Sequence, residues 1–146
     1  MKEELLGIRL VRMANAIRRM TFNESMRAGD TDNQPTGTQE MVLAYMATIE
    51  PGQDILQKDL ESWFNIRRST VTEILKRMEQ KGLIERAPVA YDKRVKKIVL
   101  TEKAQAICRQ NWERILVTEK KLAHGFSEEE LRQFFRLLNK LQQNIE

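Results

Sequence analysis

Between residues 54 and 101 two short amphipathic helical patterns run straight into a basic hairpin pattern, with almost no chain between them. Asp54 is placed to cap a helix over about 55–63, with Leu56, Leu60 and Trp63 or Phe64 as its apolar positions. After the brief "FNIRR", apolar residues return at Val71, Leu75 and Met78. That spacing of four and three predicts one face of a helix over about 68–81. Gly82 stands where a left-handed C-terminal cap belongs. Two helices joined so tightly form a helix-turn-helix pattern. "GLIERAPVAYDKRVKKIVLT" then reads as strand, tip and strand. Leu83, Ile84 and Ile98 to Leu100 supply the strand ends, and Pro88 to Arg94 the tip. Ile98 and Leu100 share one strand face, although Val99 makes the alternation imperfect.

Longer helices flank this segment. Over 3–27, Leu6, Leu10, Met13, Ile17 and Met20 fall on one helical face, while Arg9, Arg12, Arg19 and Arg27 take others. "AGDTDNQPTG" is a loop by composition. Thr36 and Gln39 then form a capping-box pattern ahead of Val42, Leu43, Tyr45, Met46 and Ile49, and Pro51-Gly52 ends that helix. Thr101 caps a helix over about 102–123 that carries Ala104, Cys108, Trp112 (or Ile115) and Leu122, with Gly125 as its stop. Ser127 and Glu130 form a second capping box, and Phe126 is placed to staple onto Leu131. Leu131, Phe134, Phe135, Leu138 and Leu141 make the last apolar face. The expected fold is mainly α with a small β-hairpin wing: a winged helix-turn-helix between long helices, in one domain over 1–146.

The position of the charge points to a partner. The net charge is +4, and residues 54–101 hold eleven Lys/Arg against seven Asp/Glu, while the remainder holds fourteen of each. The excess therefore lies wholly in the central segment, which suggests a polyanion as its partner. A single cysteine, Cys108, rules out an intrachain disulfide and fits a reducing, cytoplasmic setting. No apolar run approaches 18 residues, and four arginines break up the N-terminal apolar positions. Neither a membrane span nor a secretory leader is expected.

With Val71, Leu75 and Met78 facing inward at ~100° per residue, the outward face of the second short helix holds Ser69, Glu73, Lys76 and Gln80, flanked by Arg68, Thr72 and Arg77. Small hydroxyls permit close approach to a groove floor, and Arg and Lys reach guanine edges or phosphates. Glu73 would accept from cytosine N4 or orient a neighbouring arginine. A solvated face with ordinary charge alternation is the plainer reading of an isolated helix; the preceding helix and following basic hairpin weigh against it. In the hairpin, Asp92 sits two residues before Arg94, on the same side of an extended tip. The carboxylate can hold the guanidinium in one pose suited to a narrow minor groove. Lys93, Lys96 and Lys97 would add phosphate contacts. The plainer alternative is a surface ion pair worth little.

"TGTQEMVLAYM", "QKDLESWFNIRRSTVTEILKRMEQKGLIER" and "DKRVKKIVLTEKA" together give residues 36–104 a specific pattern. In them the chain resembles the MarR family of winged helix-turn-helix transcriptional regulators. The resemblance implies a homodimer on double-stranded DNA, with its recognition helices in major grooves and its wings at the adjacent minor grooves of an inverted repeat. It implies dimerisation through residues 1–28 and 102–146, with Leu6, Leu10, Met13, Ile17, Leu131, Phe134, Leu138 and Leu141 at the contact, and a DNA-binding lobe over 36–101. The DNA-binding set is expected to be Arg67, Arg68, Ser69, Thr70, Thr72, Glu73, Lys76, Arg77, Asp92, Lys93, Arg94 and Lys96. By the same analogy a small aromatic or phenolic effector would meet Phe22, Tyr45 and Trp112, and the regulator would be a repressor. Two positions depart from the family pattern. Arg67 replaces a small capping residue, for which Asn65 is the substitute, and Ala104 replaces a glycine after "LTEK".

Periodicity explains Cys108 as a buried structural thiol. One histidine, His124, and one cysteine do not make a soft-metal site. No nucleophile–base pair, phosphate loop or carboxylate dyad has a telling spacing. Neither enzyme nor cofactor chemistry is expected. A protein-docking winged helix and a redox-responsive regulator using Cys108 are the alternatives.

Overall fold

The computed structural model describes residues 5–27 and 34–145; the side chains of residues 22–27 lie outside the described residues. The order is α1 (Leu6–Arg27), α2 (Gly37–Thr48), α3 (Gln57–Phe64), α4 (Arg68–Gln80), β1 (Ile84–Pro88), β2 (Lys96–Leu100), α5 (Glu102–Ala123) and α6 (Glu128–Gln143). This is the expected mainly helical fold with a two-stranded wing.

Helix starts follow local chemistry. Thr36 Oγ1 accepts from the Gln39 N–H, and Gln39 Oε1 accepts from the Thr36 N–H. Ser127 and Glu130 repeat the arrangement at α6. Hydrogen bonds from the Ser127 backbone N–H and from its hydroxyl hold the Glu130 carboxyl below its ordinary range. Thr101 Oγ1 accepts from the Ala104 N–H to open α5. Gly82, at φ +65°, ends α4: the Leu83 N–H reaches the Met78 carbonyl at 2.9 Å and the Gly82 N–H reaches that of Glu79.

Two expected caps differ. Asp54 does not cap α3. Its carboxylate takes Lys97 Nζ at 2.7 Å, and Asp59 instead accepts from the Leu56 N–H at the start of the helix. Asn65 does not cap α4 either; it adopts a left-handed conformation, φ 49°, as the C-cap of α3.

Val42, Leu43 and Met46 of α2, Leu60 of α3, and Val71, Leu75 and Met78 of α4 form one core with Leu83, Ile84, Ile98 and Ala104. α4 thus turns the predicted stripe inward. β1 and β2 pair antiparallel, Ile84 opposite Leu100 and Pro88 opposite Lys96. Residues 55–56 lie along the far edge of β2, where the Ile98 N–H donates to the Ile55 carbonyl at 2.7 Å. That strand-like edge roots the wing in the helix-turn-helix. Trp63, an alternative core position, is 58% exposed, and Phe64 takes the inner place. Leu122 is exposed as well. Phe126 lies with its ring centroid 6.5 Å from that of Phe134.

Candidate nucleic-acid interface

The outward face of α4 is open along its length: Arg67, Arg68, Ser69, Thr70, Thr72, Glu73, Lys76 and Arg77 are all exposed. The buried triplet Val71, Leu75 and Met78 fixes this orientation, since each lies on the opposite side of the helix. Glu73 Oε1 accepts from Arg77 Nε at 3.2 Å, so the acidic residue on this face orients an arginine. Arg67, the N-cap residue, offers no side-chain acceptor, which leaves first-turn N–H groups of α4 for an incoming anion. Gln57, not singled out by its sequence context, donates from α3 to Thr72 Oγ1 at 2.8 Å.

At the wing, Asp92 accepts from Arg94 Nε and Nη2, each at 3.2 Å, and from the Arg94 backbone N–H at 2.9 Å. The Arg94 side chain is nonetheless 91% exposed. The guanidinium beside Asp92, helped by that backbone N–H, holds its carboxyl below the ordinary 3.8. The tip is closed by the Val89 N–H on the Val95 carbonyl, and Val89 is buried. Val89 anchors a tip whose neighbours Tyr91, Lys93 and Arg94 face solvent. Tyr91 is 73% exposed; a lone aromatic directly before the charged run Asp92-Lys93-Arg94 was the signal for it. Lys96 is exposed, whereas Lys97 is engaged by Asp54 and does not join the free bases of the wing. Arg86 Nε meets Glu79 Oε2 at 3.3 Å, tying β1 to α4.

Of the residues expected around an effector, Tyr45 and Trp112 do not come together. Tyr45 stacks on Trp63, with ring centroids 4.2 Å apart, on the α3 side of α2. Trp112 lines a cavity on the α5 side with Thr21, Leu43, Ala47 and Cys108. The two side chains lie on opposite flanks of α2 because positions 43 and 45 point apart on a helix. The Phe22 side chain lies outside the described residues. The cavity beside Trp112 measures about 10 Å³, room for about one water. Cys108 is half-buried, with Sγ 3.7 Å from the Leu43 carbonyl oxygen, and burial pushes its thiol up. A raised thiol is a poor redox sensor.

Leu6 and Met13 of α1 and Phe134 of α6 are exposed, and Leu10, Ile17, Leu131, Leu138 and Leu141 are half-buried. No residue of α6 is buried. Among the described residues no cluster of His, Cys, Asp and Glu could hold a metal ion, and no helix is long and apolar enough to cross a membrane.

Residues 34–95 match the sequence model of the MarR family. The chain is similar to the transcription regulator MarR from Oenococcus oeni, at 28% identity over 94% of this chain and 98% of that one, with a TM-score of 0.81. It is similar to a Listeria monocytogenes protein described as a MarR family transcriptional regulator and complexed with 26mer DNA. That match has 25% identity, covers 99% of this chain and 90% of that one, and has a TM-score of 0.75. The fold is shared with MepR of S. aureus, crystallised as a DNA complex, over the full length of both chains at 21% identity and a TM-score of 0.84. The helix-turn-helix sequence matches the MarR family model over residues 34–95, and the fold from α1 to α6 is shared with winged-helix transcription regulators of that family.

Proposed function

We propose that the chain is a sequence-specific double-stranded DNA-binding repressor that acts as a homodimer on an inverted repeat. Residues 36–101 are the DNA-binding lobe, and residues 1–28 and 102–146 the dimerisation region. The observation that carries this reading is the wing arginine. Arg94 is almost fully solvent-exposed, yet two hydrogen bonds from its guanidinium to Asp92 hold it in one pose. A guanidinium immobilised without burial loses little side-chain freedom on entering a minor groove, where the negative potential of the duplex is concentrated. α4 lies in the preceding major groove, with Arg68, Ser69, Thr70, Thr72 and Lys76 toward base edges. Arg67, Lys93 and Lys96 lie toward phosphates. Similarity to two proteins crystallised with DNA supports the same assignment.

An effector acts by separating elements. The cavity beside Trp112 is too small for an aromatic ligand. Binding there requires α5 to move from α2, which shifts the spacing of the two lobes away from successive grooves. The effector must bind the separated state more tightly than the DNA-bound state. Arg94→Ala tests the reading. We expect affinity for a selected operator to fall about tenfold or more, with the thermal midpoint unchanged, in a fluorescence anisotropy titration. Unchanged affinity removes the wing from DNA recognition.

A further inference from the structure

Gln57 opens α3, and its side-chain amide reaches across the turn to α4. Nε2 donates to Glu61 Oε1 at 3.1 Å and to Thr72 Oγ1 at 2.8 Å. An ionised carboxylate only accepts, so the amide nitrogen, and not its oxygen, must face Glu61. The orientation of the amide is thereby decided by its neighbour. With both Gln57 N–H groups engaged, Thr72 Oγ1 is an acceptor in this pair. Its own single proton goes to the Arg68 carbonyl oxygen at 2.9 Å. Thr72 is exposed on the outward face of α4 but has no proton left to donate.

We propose that Gln57 is a positioning residue that makes Thr72 a reader of thymine, through the γ-methyl group instead of a donated hydrogen bond. The inference rests on α4 being the major-groove helix. Guanine O6 and N7, adenine N7 and thymine O4 are acceptors there and need a donor that Thr72 no longer has, and Gln57 already takes one of the two Oγ1 lone pairs that adenine N6 or cytosine N4 would use. The C5 methyl of thymine is the one apolar mark in that groove, and the γ-methyl is its complement. The arrangement also keeps the threonine rotamer from changing as DNA approaches, because rotation would break bonds to two elements at once.

The test uses the full-length protein and an operator selected from a randomised duplex pool. Each thymine is replaced singly by deoxyuridine, which deletes only the C5 methyl. One symmetry-related thymine pair is expected to lose about three- to fivefold in affinity on replacement, the size expected for one buried methyl contact. Thr72→Val retains that ratio without help from Gln57, because valine takes one strongly preferred rotamer in a helix and carries a methyl at both branch positions. Thr72→Ser, which keeps the hydroxyl, brings it to about one. Gln57→Met reduces it at that base pair and leaves other positions as they were. If Thr72→Ser discriminates as the natural protein does, or Thr72→Val loses discrimination, the methyl assignment is overturned. A uniform loss for Gln57→Met at every base pair overturns the positioning role. A converged operator without a Thr72-dependent thymine refutes this inference alone, whereas a pool that never converges refutes the DNA-binding reading with it.

Discussion

Arg94 and Thr72 are both held by neighbours, but through bonds of different reach. Asp92 lies two residues from Arg94, so local chain geometry alone brings the two together. Gln57 lies fifteen residues from Thr72, and only the packing of α3 on α4 brings them within 2.8 Å. The first pair was therefore visible in the sequence and the second was not. The Asp92 carboxyl is depressed chiefly by the Arg94 side chain. A folded-state value below the unfolded one means that the pair supports wing order above the ordinary 3.8 and loses that contribution as pH falls through the depressed value. Between pH 6 and 8 the pair should not titrate, so pH should leave the pose of Arg94 unchanged. A carbon-detected NMR titration should place the Asp92 midpoint below 3.8 and move it back toward 3.8 in Arg94→Ala. An identical midpoint in both proteins would show that the pair is not formed in solution.

At the scale of elements, helix ends set where the interface begins and stops. Gly82 terminates α4 at φ +65°, and a Cβ built there meets nothing within 4 Å. The cost of Gly82→Ala is therefore backbone strain alone, about 1 kcal/mol of stability. Urea unfolding should show a lower midpoint with an unchanged slope; an unaltered midpoint would mean that the turn relaxes freely. Such endings were legible because their chemistry lies within three or four residues, as at Thr36, Thr101 and Ser127. Asp54 was misread as a cap because its partner, Lys97, is 43 residues away. The same contact removed Lys97 from the wing's phosphate contacts. Tyr45 and Trp112 were misjoined for a related reason. An aromatic residue announces burial or contact, but α2 separates the two sides, and only the packed helices show which side each faces. The exposed face of α4, by contrast, followed from three apolar residues at helical spacing.

The whole molecule leaves apolar surface uncovered at the ends of the chain. Leu6 is 60% exposed in α1 and Phe135 is 60% exposed in α6, with Val11, Met13, Phe134 and Leu137 also facing solvent. An amphipathic helix as regular as α6, with no buried residue, does not stabilise its own chain by burial. A patch of this extent on a monomer marks a contact surface. Pairing α1 and α6 with their copies about a two-fold axis would cover the same residues on both subunits at once. It would also set the separation of two α4 helices, so affinity for a two-half-site operator depends on it. Leu138→Glu puts a charge at the half-buried edge of the α6 stripe. Buried in a dimer, that carboxylate is costly without a partner; in a monomer it points to water and costs little. Light scattering after size exclusion should therefore find monomer or aggregate in place of dimer, while circular dichroism keeps its helical signal. Affinity for a single half-site should persist, and the gain from the second half-site should vanish. A stable dimer of Leu138→Glu would refute the role of α6, and dimer loss without loss of the two-site gain would detach dimerisation from DNA recognition.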